Sequence, residues 1–220
     1  MGFFASTTAA AGALALAVAT TADAMAARGP SLAASPFQSA AALRGLLQDS
    51  DFAINLPAID GISSDAGTIR PAFVGAFPAL GLPDVQMSVA AVQLAAGAFN
   101  QPHVHPRGTE LLVLIKGTLE VFFIEDGGAP PRVVTNTLPA GAATVFGIGL
   151  VHGERCVSDT PCEFMAVFNN PDAGSASAIP AVCGLPGAVP AVALGVSRRV
   201  ADQVCAGAPG LPAFARGRRA

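Results

Sequence analysis

The sequence predicts a mainly β protein, a single sandwich or small barrel with a short N-terminal extension and C-terminal helices. Three observations lead there. Six short runs between residues 85 and 169 are rich in Val, Ile, Leu and Phe, side chains that pack well on a pleated surface. Turn residues separate these runs, and at this spacing they signal a sandwich or barrel. At 220 residues the chain fills one well-cored domain but falls short of two.

Taken in order, the first thirty residues stand apart. They hold an apolar run from Ala9 to Ala19, with no acid before Asp23 and no base before Arg28. Ala22-Asp23-Ala24 gives the small-x-small pattern that signal peptidase cleaves, so a secretory signal is expected over 1–24 and a mature chain from Met25. A disordered alanine-rich tail or an organelle transit peptide would share this composition. The run is too short and too weakly apolar to span a bilayer, and no membrane contact is expected once it is removed. Residues 25–79 read as an N-terminal extension. Within it Phe37, Ala41, Leu43, Leu46 and Leu47 follow helical spacing over 36–49, after Ser35-Pro36 as a start signal. From 54 to 82, Pro and Gly break short apolar pieces into irregular strand and loop.

The barrel core is expected over 80–172, with strands at 85–94, 110–116, 118–125, 132–138, 143–148 and 162–169. Residues 173–220 read as a helical segment and tail, with one clear helix at 196–207. All four cysteines, Cys156, Cys162, Cys183 and Cys205, lie in the last third of a chain that reads as exported. Cys156 and Cys162 flank a Ser-Asp-Thr-Pro turn, so a bridge across a hairpin is expected, leaving Cys183 to pair with Cys205 and tie down the last helix. Four cysteines allow three connectivities, and buried free thiols are the other reading. Fifteen acids against twelve bases give a net charge of −3, and the one basic cluster is the terminal RGRRA, so nucleic acid is not an expected partner.

The chemistry concentrates in the histidines, of which there are three. His103 and His105 are two apart, so on a strand both imidazoles point the same way. Imidazole is the commonest neutral ligand for divalent transition metals. Pro106-Arg107-Gly108 then breaks the strand, which frees Glu110 to turn inward and add an anionic oxygen. A lone His-x-His is more often two ordinary strand histidines. Here the third, His152, follows a Gly147-x-Gly149 turn that can fold it back towards the same point. Three nitrogens and one oxygen suit Mn, Fe, Ni or Zn alike.

These residues resemble the cupin superfamily, and within it the germins and germin-like proteins. Gly97, His103, His105, Glu110 and Gly117 meet every spacing of the first cupin motif, and NQPHVHPRGTE is similar to the germin pattern NPPHTHPRATE. The second motif is altered: Gly141, Gly149 and His152 match, while Gly147 stands for its proline and Cys156 for its asparagine. The resemblance covers roughly residues 36 to 207. It implies a cupin jelly-roll barrel in which His103, His105, Glu110 and His152 bind manganese. It implies a role for Asn100 in hydrogen-bonding a substrate carboxylate, although an Asn capping its own loop is an equal reading of that residue. It also implies a secreted, extracellular homo-oligomer. The implied activity is a metal-dependent oxidoreductase acting on a small anion, by oxalate oxidation or superoxide dismutation. A non-catalytic storage, ligand-binding or structural role is the alternative. Plant germins carry an N-terminal cysteine pair that this chain lacks, and the altered second motif changes the pocket rim, so the resemblance carries little oxalate specificity.

Overall fold

The computed structural model describes residues 39–208 and 214–216. The signal expected over 1–24 and the start of the helix expected over 36–49 lie outside the described residues.

Two antiparallel sheets dominate. One runs β1 (Ile62–Ser64), β2 (Gly67–Ala72), β3 (Ser88–Leu94), β10 (Cys162–Phe168), β5 (Glu110–Lys116), β8 (Ala143–Phe146). The other runs β11 (Ala176–Ser177), β4 (Ala98–Val104), β9 (His152–Cys156), β6 (Thr118–Ile124), β7 (Val133–Pro139), with β12 (Phe214–Arg216) also on β4. The expected barrel is thus a two-sheet jelly roll, each sheet a separate hydrogen-bonded ladder. The sheets recruit chain on both sides of 80–172: β1 and β2 come before it, β11 and β12 after it.

Alternation explains the packing. In β5, Glu110, Leu112 and Leu114 are buried while Leu111 and Ile115 face out; in β10, Cys162, Phe164, Ala166 and Phe168 are buried in the same period of two. Facing residues from both sheets, Leu94, Leu119, Val121 and Phe146 among them, close the core. Burying a side chain such as Phe146 stabilises the fold by roughly 1.5–3 kcal/mol, and Leu112→Ala should cost about 2–5 kcal/mol. The outer face of the first sheet is also apolar, with Leu111, Ile115 and Val145 exposed.

The helices are short. The helical pattern at 36–49 gives only α1 (Ala40–Arg44) among the described residues. Ser39 caps it, accepting from the Ala42 N–H at 3.2 Å, and Gly45 ends it. The chain then tightens into a 3-10 turn at Asp49–Phe52, where Gln48 and Asp51 cap each other and compete with a longer helix. At the other end lie α2 (Ala178–Cys183), α3 (Val189–Leu194) and α4 (Arg198–Ala206). A disulfide joins Cys183 on α2 to Cys205 on α4, and a second joins Cys156 to Cys162. No described helix is long and apolar enough to cross a membrane.

Candidate metal centre

The site sits between the sheets, where β4, β5 and β9 meet. On an ideal strand Asn100 and His103, three apart, would face opposite ways. A register shift between them solves this: Asn100 pairs with Glu154 and His103 with His152, so β4 fits one extra residue at Gln101-Pro102. Pro102 brings no N–H, which suits a bulge. Both side chains therefore turn inward. His105 follows on the same face, and β5 begins with Glu110 pointing into the core. Gly149, at φ +77, makes the turn before β9, and its N–H donates to the His105 carbonyl at 3.0 Å. That bond draws the His152 loop onto the His105 loop.

The donor atoms of His103, His105, Glu110 and His152 all lie within 4.8 Å of one another, and all four residues are buried. Ligands on opposite sides of an ion at about 2.2 Å are about 4.4 Å apart, so a few tenths of an ångström of contraction would close the set on one cation. Hydrogen bonding settles which ring nitrogens face inward. His103 Nδ1 donates to the Gln101 carbonyl at 2.8 Å, His105 Nδ1 to the Gly174 carbonyl at 2.5 Å, and His152 Nδ1 to the Leu150 carbonyl at 2.8 Å. A carbonyl can only accept, so each Nδ1 carries its proton. In the neutral ring Nε2 is then a lone pair. Two of these lone pairs face a carboxylate, with Glu110 Oε2 3.0 Å from His105 Nε2 and 3.3 Å from His152 Nε2. Acceptors do not gather around one point without a positive charge to bind, and the donor set fits a divalent cation.

Electrostatics agree. Burial, then the neighbouring His152 and His105, lower His103 to about 3, so it is a neutral ligand at ordinary pH. Burial would raise Glu110, but hydrogen bonds and charge from His105 and His152 in their protonated forms outweigh it and hold the carboxyl at about 2. That positive charge is what a bound cation would supply when the rings are neutral. Aromatic rings brace the cluster: Phe146 stacks on His152 at 4.3 Å and Phe168 lies 4.5 Å from His105.

A cavity of about 270 Å³ opens beside the cluster, lined by Asn100, His103, His105, Glu110, Phe164 and Phe168 among others. Asn100 thus stands at the site, but its Nδ2 donates to Glu154 Oε2 at 2.8 Å. Glu154 is fully buried, and its Oε1 has no hydrogen-bond partner. Burial, then the charge of Glu110, push its carboxyl well above the usual range. Sequence reasoning missed Glu154, although its signal was present: it lies two residues after His152 on a strand and so shares its face. Cys156, two further on, sits in the place of the motif's asparagine and is committed to its disulfide.

The fold and this cluster define a metal-site jelly roll. The family model described as Cupin matches residues 54–202, and the chain belongs to that family. It is similar to Spherulin-1A of Physarum polycephalum, 38% identical over 122 residues, which make up 55% of this chain and 48% of that protein. It is also similar to germin-like protein subfamily 2 member 2 of Arabidopsis thaliana, 35% identical over 135 residues, 60% of this chain and 58% of that one. The chain spans about half the length of the curated relatives it matches. Among solved structures, an oxalate oxidase superposes with a TM-score of 0.66 at 25% identity, over 73% of this chain and 81% of that chain. A Bacillus subtilis oxalate decarboxylase shares the fold, with a TM-score of 0.64 at 19% identity, over 74% of this chain and 41% of that chain.

Proposed function

We propose that this is a secreted germin-like manganese protein, a metal-dependent oxidoreductase acting on a small anion in the manner of an oxalate oxidase or superoxide dismutase. The observation that carries the reading is the convergence of three Nε2 lone pairs and one ionised carboxylate, each Nδ1 already committed to a backbone carbonyl. His103, His105, Glu110 and His152 would hold the ion. A bound manganese would supply a redox couple and open coordination positions for a small anion. Iron, zinc or nickel would fit the same donors, and manganese comes from the germin resemblance. The protein's own part is to fix the ring orientations, exclude bulk water through Phe146, Phe164 and Phe168, and offer Asn100 at the cavity wall. Two disulfides support an oxidising compartment. Homo-oligomers belong to the same reading, and the apolar outer face of the first sheet is compatible with them.

One observation favours a second reading, a non-catalytic metal-binding cupin. An N–H of Asn100 is spent on Glu154, so the amide implied to hold a substrate carboxylate is partly engaged. Elemental analysis of the purified protein, followed by peroxide release on oxalate and by superoxide removal, separates the readings. Stoichiometric manganese with either activity supports the enzyme. Metal without either activity supports the binding protein, and protein that takes up no metal defeats both.

A further inference from the structure

The three imidazoles of the cluster are not held alike. His103 and His152 donate from Nδ1 to the carbonyl two residues back in their own segments, Gln101 and Leu150, so their local backbone fixes them. His105 instead donates to Gly174, 69 residues further along the chain. Its orientation therefore depends on where a separate loop is placed.

That loop is gripped by Arg107. Its Nη2 lies 2.8 Å from Asp172 Oδ2, its Nε donates to the Asp172 carbonyl at 2.7 Å, and its backbone N–H donates to the Ala173 carbonyl at 3.1 Å. Gly174 comes next, at φ +69, where a Cβ would fall 2.8 Å from Arg107 Nη2 and 3.0 Å from its Cζ. The glycine lets the guanidinium lie flat against the loop. Gly108 is equally close, since a Cβ there would meet the Ala173 Cβ at 2.9 Å. The side chains of Arg107 and Asp172 are 51% and 58% exposed. An exposed ion pair of this kind adds little to stability, so the Arg107–Asp172 pair needs another explanation.

We propose that Arg107 is a positioning residue for His105. By clamping Asp172 and Ala173 it keeps the Gly174 carbonyl on His105 Nδ1, which fixes the tautomer and aims the Nε2 lone pair into the cluster. Partners of this outer kind typically tune metal affinity by about 10–100-fold. This rests on the metal-site reading above, so the test includes a measurement made without metal.

The experiment uses the full chain, with Arg107→Ala, Arg107→Lys and, as a control, Lys116→Ala, which breaks the exposed Lys116–Glu163 pair. Long-range nitrogen NMR of the metal-free protein reads the His105 tautomer, and titration with Mn(II) or Co(II) reads affinity. Arg107→Ala should turn His105 from a single Nδ1–H form into a mixture, leave His103 and His152 unchanged, and weaken binding about 10–100-fold. Arg107→Lys should recover only part of this, because an ammonium cannot bond carbonyl and carboxylate in one planar fork. The control should match wild type. Should Arg107→Ala fail to fold, Asp172→Ala removes one of the three bonds and should shift both readouts the same way by less. A single Nδ1–H tautomer and wild-type affinity in these Arg107 and Asp172 variants would overturn the inference. If wild type bound neither metal, the metal reading would fail, while the metal-free tautomer comparison would still decide the role of Arg107.

Discussion

Two buried polar groups lie two residues apart on the same face of β9, and they are resolved in opposite ways. His152 belongs to a cluster in which every Nδ1 is bonded and every Nε2 turns to one point, a surplus of lone pairs that only a cation can use. Glu154 lies beyond it, fully buried, with Asn100 on one oxygen and nothing on the other. Its carboxyl is pushed above its usual range, so what it uses is a proton. Burial is therefore tolerated in one place through a metal and in the other through neutrality. A second ionised carboxylate near Glu110 would compete with it for the same positive charge.

The largest effect should come from breaking the first half of this comparison. His152→Ala removes one nitrogen and the ring that Phe146 stacks upon. Metal affinity should fall by more than the roughly 100-fold at the upper end for outer partners, taking any metal-dependent activity with it. The jelly roll should survive, because no core strand depends on that side chain. Chelation of wild type should mimic the loss. Because binding to the native state stabilises by mass action, metal present at about 1,000 times Kd should add roughly 4 kcal/mol, lost when the ion is stripped. Isothermal titration and thermal unfolding with and without chelator measure both. Full metal content in His152→Ala would end the cluster reading.

The cluster was the most legible part of the chain. Alternation placed His103 and His105 on one face, the break at Pro106-Arg107-Gly108 let Glu110 turn in, and the glycines before His152 marked a return. The strands were legible for the same reason, since β3, β5, β6 and β10 carry runs of branched and aromatic residues. What could not be read depends on neighbours distant in sequence. The bulge at Gln101-Pro102 exists only against β9, and β11 and β12 are too short and plain to announce themselves until β4 offers an edge. Helical spacing at 36–49 runs past the end of α1 because the Gln48–Asp51 capping pair starts a separate 3-10 turn. In the sequence Arg107 shows only as part of the strand break, and its link to His105 through Gly174 is invisible without the loop.

A smaller effect should follow from disturbing the second half. Asn100→Ala would leave both oxygens of Glu154 buried without partners. An unsatisfied buried acceptor costs about 1–3 kcal/mol, so the variant should unfold about 2–12 °C lower, at roughly 2–4 °C per kcal/mol in a domain of this size. Adding Glu154→Leu should restore much of that loss, because the polar group that needed the partner is gone. If the two changes simply added in thermal unfolding, the pair would not be a coupled unit.

The effect of pH is the most diagnostic, because the two halves have opposite pH slopes. His103, lowered to about 3 from an ordinary 6.5, binds fewer protons folded than unfolded between those values. Its contribution is complete above pH 6.5 and drains away as pH falls towards 3. Glu110, held at about 2 against an ordinary 4.5, acts in the same direction lower down. Glu154 does the reverse: raised when folded, it contributes fully below pH 4.5 and loses that contribution as pH rises through its folded value. Glu154→Gln keeps a neutral side chain of the same shape and removes only this slope. Metal-free wild type and Glu154→Gln should therefore lose stability together as pH drops below 4.5. Above 4.5 the variant should gain on wild type, by at most about 1.4 kcal/mol per pH unit for a single proton, until the folded carboxyl ionises. Denaturant midpoints taken from pH 3 to pH 9 measure the gap. Parallel curves across that range would mean that Glu154 is already ionised in the folded protein, and the contrast with His152 would collapse.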